Sequence, residues 1–96
     1  MDIHERWEAV TKEGDEFLKF EKVENKRSQR PDLHAFLMLD ELFPGTSDLV
    51  SSVSHDEIWL DVDDDQVETL TDEQILELSW CGVRHDGEVG GLCMFV

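Results

Sequence analysis

From Pro31 onward the chain has a single basic residue, Arg84, set against sixteen Asp and Glu. Residues 1–30 are close to balanced, with seven basic and eight acidic side chains, so nearly all of the formal net charge of −16 falls in the last two thirds. A surface of that sign repels phosphates, and direct binding of nucleic acid by this chain is not expected. The basic run "KRSQR" at 26–30, preceded by Lys19 and Lys22, is the one local exception. Its expected use is pairing with the acidic remainder of the fold or with a second copy.

Other scarcities narrow the class further. No stretch approaches the roughly 18 consecutive apolar residues that cross a bilayer, and the opening "MDIHERWEAV" lacks the basic-then-apolar layout of a signal peptide. A soluble, cytoplasmic protein with no membrane partner is expected. Two cysteines, Cys81 and Cys93, both set in apolar sequence, are too few for a secreted disulfide framework and read as reduced, buried thiols. Phosphate loops are missing as well, because "GEVGG" at 87–91 carries no lysine and leads into an apolar strand.

What is present suits a folded domain. Hydrophobic residues make up 40% of the 96 and charged residues 33%, which separates the chain from disordered acidic tails. A chain of this length buries only about 60 to 65 per cent of its unfolded surface, so the core is modest. One domain, 1–96, is expected, helical over 1–54 and strand–helix–hairpin over 55–96.

The periodicities assign the elements. Apolar residues at 3, 7, 10 and then 17, 20 and 23 predict one bent helix or two short ones over 3–24, with a break near Gly14. Pro31 suits the first turn of a helix over 32–43 that is apolar nearly all the way round, hence central in the fold or shared with a partner subunit. "SDLVSSVS" reads as a short helix or turn. "EIWLDV" at 57–62 alternates as a strand, with Ile58, Leu60 and Val62 on the core face and Glu57, Trp59 and Asp61 on the other. Thr71 and Gln74 form a capping box for a helix starting near 72, and Gly82 stands where a left-handed cap would end it. A hairpin over "VRHDGEVGGLCMFV" completes an α+β fold in which N-terminal helices pack on a small three-stranded, largely antiparallel sheet.

Several constellations compete for chemistry. "DVDDDQVETLTD", 61–72, spaces carboxylates like a calcium loop. It carries Gln66, Glu68 and Asp72 where such a loop needs glycine, an apolar residue and a bidentate glutamate. It also follows a strand instead of a helix, so an acidic strand-to-helix corner with Asp63–Asp65 in solvent is expected. Cys81 and His85, with His55 and Cys93 as remote candidates, supply one close pair where structural zinc takes two. Cys81, His85 and Asp86 are adjacent in sequence, which is not the spatial geometry of a catalytic triad. No metal, no other cofactor and no enzymatic activity are expected. His34 reads as a hydrogen-bonded core or interface residue, and His4 as part of a mobile terminus.

The stretches "VENKRSQRPDLHAFLMLDELFPG" and "HDEIWLDVD", with the tail "CGVRHDGEVGGLCMFV", resemble small uncharacterised acidic proteins of bacteriophages and prophages. That resemblance covers about two thirds of the chain. It implies a setting in which such proteins bind and block host or defence proteins, CRISPR effectors among them, sometimes by imitating nucleic acid.

Net charge of this size self-repels unless solubility or a basic partner makes use of it. The expected function is therefore protein binding. Asp61, Asp63, Asp64, Asp65 and Glu68 would pair with a basic host protein, and Trp59 would be either an anchor among them or buried under Trp7 and Phe17. The alternative is a structural or assembly protein, a homodimer through Leu33, Phe36 and Leu37 of the apolar helix.

Overall fold

The computed structural model describes residues 1–95. Helix α1, Ile3–Val10, starts on a capping box in which the Asp2 carboxylate accepts from the Glu5 N–H and Glu5 reaches back to the Asp2 N–H. Ile3 and Trp7, one turn apart, are its buried residues. The helix stops earlier than its apolar period predicts. Lys12 and Glu13 take left-handed φ angles of 54° and 53° ahead of Gly14 at 96°, turning the chain so that the Leu18 N–H donates to the Ser79 carbonyl at 3.0 Å. Left-handed non-glycine residues cost roughly 1–2 kcal/mol each, offset here by tertiary contacts of Glu16 and Leu18 that no local period can foretell. The expected bent helix or helix pair over 3–24 is thus one helix and a single 3₁₀ turn, Phe20–Lys22.

Helix α2, Pro31–Leu42, has proline in its first turn as expected and buries His34, Ala35, Met38 and Leu39. Because it is apolar nearly all round, burying one face leaves others in solvent: Leu33 and Leu37 are 42% and 40% exposed. His34 ties it to the rest of the fold. Its Nδ1 accepts from the Arg27 N–H at 3.1 Å, so the proton sits on Nε2, which donates to Glu77 at 2.8 Å.

Helix α3, Asp64–Val67, is a single turn, and helix α4, Asp72–Trp80, begins on the expected Thr71–Gln74 box. Gly82, at φ 95°, ends α4, and a Cβ there would lie 2.9 Å from Leu18 Cδ2. The position therefore needs glycine for both its backbone and its neighbour.

The sheet has four strands, not three: β1 Val50–Ser54, β2 Glu57–Leu60, β3 Val83–His85 and β4 Leu92–Phe95, in the order β1-β2-β4-β3 with every pairing antiparallel. The added strand is β1, so the expected division into a helical 1–54 and a mixed 55–96 does not hold. "VSSVS" has too little apolar alternation to announce itself. It forms because β2 offers an edge, through a two-residue turn at His55–Asp56 and with a register shift between Val50 and Ser52.

The register sorts the faces as the alternation of "EIWLDV" predicts. Ile58, Met94 and Val83 form one row, Trp59, Cys93 and Arg84 the next. Leu60, Val62, Val83, Leu92 and Met94 join Trp7, Leu39, Ile75 and Leu78 in one buried cluster. On the opposite face Arg84 reaches Glu57 at 2.7 Å and lies over the Phe95 ring. None of the helices among the described residues is long and apolar enough to cross a membrane.

Candidate functional site

At the end of β2 the chain leaves the sheet through five acids that meet three different fates. Asp63 caps α3, its Oδ1 accepting from the Gln66 N–H at 2.9 Å while Gln66 Oε1 accepts from the Asp63 N–H at 3.1 Å. This is a second capping box, written in the sequence as Asp-x-x-Gln. Asp64 turns inward. Its Oδ1 accepts from the Gly91 N–H and from His85 Nε2, each at 2.8 Å, and these bonds, the backbone one first, hold its carboxyl below the usual range. Asp61, Asp65 and Glu68 point to solvent. None of the ion pairs among the described residues includes Asp61, Asp63, Asp65 or Glu68. The expectation that Asp63–Asp65 all lie in solvent is corrected at Asp64, which is a structural acceptor.

The carboxylates of the calcium-loop spacing are engaged separately. Asp63 faces its own helix, Asp64 faces the hairpin, and Asp72 receives the Arg6 guanidinium at 2.9 Å. Their oxygens diverge. Among the described residues no three His, Cys, Asp or Glu side chains gather in a ligand geometry.

Trp59 is not buried under Trp7 and Phe17, one of the two alternatives expected of it. It shares the solvent-side sheet face with Cys93 and Arg84, away from Trp7, whose ring stacks near His85 on the core face. Trp59 already has its polar edge engaged. It is half-buried, and its indole N–H donates to Asp86 Oδ2 at 3.0 Å, while Asp86 Oδ1 accepts from the Glu88 and Val89 N–H groups. The indole and the loop amides together pull the Asp86 carboxyl below its ordinary value. The ring forms one wall of a shallow groove of about 430 Å³, closed by Asp61, Asp63, Asp64 and the loop residues Val89–Gly91.

His85 lies buried where α1, α3 and the sheet meet. Since Nε2 is engaged by the Asp64 carboxylate, its Nδ1 is left to accept, and it faces His4 Nδ1 at 3.0 Å. His4, read from the sequence as part of a mobile terminus, is instead half-buried and fastened to the far end of the chain. Its other nitrogen lies 3.9 Å from Glu8. The line His4–His85–Asp64 joins α1, β3 and α3 by hydrogen bonds, and nothing in local sequence signals it.

The thiols are passive. Burial pushes Cys81 up to about 12, with Glu77 adding to the effect, and burial raises Cys93 too. A thiol so far from ionising at neutral pH is a poor nucleophile or ligand.

The remaining candidates lie on α2. Leu33 and Leu37 are exposed, and Phe36 is half-buried against the core. Phe36 and Leu37 line a second groove of about 340 Å³ with Phe43 and Leu49, which Asp40 and Asp61 border. Asp61 thus stands between the Trp59 groove and the α2 groove. Comparison with known proteins returns no matching family model, no matching curated protein and no matching solved structure.

Proposed function

We propose that this chain is an acidic protein-binding module without catalytic activity. Its partner is a basic, nucleic-acid-handling protein, and its role is that of a phage- or prophage-type inhibitor, extending to CRISPR effectors and to mimicry of nucleic acid. The observation that carries the reading is the set of unpaired carboxylates at Asp61, Asp63, Asp65 and Glu68. Like charge left unmatched on one corner steers and is complemented by a cationic surface. Asp64 belongs to the same surface but acts by fixing the corner to the hairpin, and Trp59 offers the partner its ring face while its N–H stays with Asp86.

The test is an affinity pull-down from bacterial lysate at low and high salt, read by mass spectrometry. Recovery of one basic complex, weakened by salt, is the expected outcome. Recovery of nothing beyond the bait would set the reading aside.

A second reading rests on the exposure of Leu33 and Leu37. Here α2 covers one sheet face with its buried side and pairs with a second copy through its outer side. Sedimentation decides it: a concentration-dependent dimer abolished by Leu37→Glu is required, and a monomer at all concentrations excludes it.

A further inference from the structure

We infer that the groove between α2 and the 43–49 segment is the seat for an apolar anchor of that basic partner, and that Asp40 and Asp61 grip the cations flanking the anchor. The inference rests on the basic-partner reading. It relocates the anchor point from Trp59 to the neighbouring groove.

The floor is apolar: Phe36, Leu37, Phe43 and Leu49 supply it, and Leu37 is 40% exposed. At about 340 Å³ the groove sits near the lower end of ligand-sized pockets, roughly 300–1,000 Å³, which suits one or two bulky side chains. The rim determines what those side chains must be attached to. Asp40 and Asp61 are both exposed, neither has a cationic partner among the described residues, and no Lys or Arg lines the groove. An occupant that covered the groove without bringing positive charge would strip water from two carboxylates and give nothing back. A second copy of this chain would do that twice over, placing the same two aspartates in an interface between bodies that each carry −16. A segment of alternating bulky apolar and Lys or Arg residues meets both requirements at once.

Asp61 is also firmly placed. Its N–H donates to the Leu49 carbonyl at 2.6 Å, so rim and floor are joined by backbone. Through Asp61 the groove is continuous with the acidic corner. A partner running from one to the other would meet an anchor pocket first and a row of free carboxylates next.

The experiment is a titration of isotopically labelled protein, followed by amide chemical shifts, with a short synthetic peptide of arginines and lysines flanking one tryptophan. A control peptide replaces that tryptophan with alanine. Saturable shifts at residues 36–49 and 61, affinity at least tenfold weaker for the alanine peptide, and a comparable loss with Leu37→Ser are expected. Leu49→Ser serves as the second variant should Leu37→Ser fail to fold. Shifts confined to 63–68 and indifferent to the tryptophan would overturn the groove while leaving the acidic-surface reading intact. No shifts with either peptide would remove both. Shifts across 33–49 that appear on concentrating the protein alone would assign the groove to a second copy and overturn the proposal.

Discussion

Glu16, in the N-terminal third, and the acids of the 61–68 corner carry the same chemistry put to opposite uses. Glu16, nearly buried, accepts from the Trp80 indole N–H at 2.7 Å and from Lys22 at 2.9 Å, with Lys12 at 3.9 Å. The indole first and Lys22 next hold its carboxyl below the ordinary range. Arg6 ties α1 to Asp72, and Arg27 pairs with Glu41. The basic run at 26–30 therefore serves the fold at Arg27. In the corner Asp61, Asp63, Asp65 and Glu68 have no cationic partner among the described residues, while Asp64 is committed to His85 and Gly91 and Asp63 to the cap of α3. Charge matched by charge holds elements together; charge left unmatched contributes little to stability and is available to another molecule.

The comparison breaks first at Asp64, which sits in the corner but, like Glu16, is held by donors of its own chain. Asp64→Ala leaves buried His85 without its acceptor and frees the Gly91 N–H, and the His85 bond alone is worth about 1–3 kcal/mol. Urea unfolding should register this as the largest loss among the corner acids. Next, Glu16→Ala should lower the thermal midpoint, and Glu16→Gln should restore part of it because an amide oxygen still accepts from Trp80. Equal midpoints for the two variants would assign the whole effect to the Lys22 ion pair.

Acid sensitivity sharpens the contrast. Glu16, Asp64 and Asp86 have folded-state pKa values below their unfolded ones. Their stabilisation is complete above the unfolded carboxylate range, about pH 4, and drains away as the pH falls through the folded values. Asp64→Asn combined with Asp86→Asn should flatten that acid limb in urea midpoints followed from about pH 7 down to about pH 3. The smallest expected effect is that of Asp61→Asn, Asp65→Asn and Glu68→Gln on stability at neutral pH, within about 0.5 kcal/mol.

The same division explains what could be read from the sequence. α2, α4, the strand 57–60 and the final hairpin carry local signals: proline at the first turn, a Thr-x-x-Gln cap, strict alternation, paired glycines. The Asp63–Gln66 cap was equally legible but lay hidden inside a spacing that resembles a calcium loop. β1 was not legible, since three of its five residues are serine and its partner strand supplies the pairing. The early end of α1 depends on Ser79, and the His4–His85 contact spans 81 positions. Of the candidate site, the exposure of Asp61, Asp65 and Glu68 followed from charge alone. The inward turn of Asp64 and the Asp86 bond to Trp59 did not, because each depends on where the hairpin loop docks.

The most direct test of the central claim measures two properties of one variant, Asp61→Asn/Asp65→Asn/Glu68→Gln: its urea midpoint, and its association rate with the basic complex recovered by pull-down at several salt concentrations. The account predicts an unchanged midpoint, slower association and a flatter dependence on salt. A variant that associates as fast as the parent, with the same salt dependence, would contradict it.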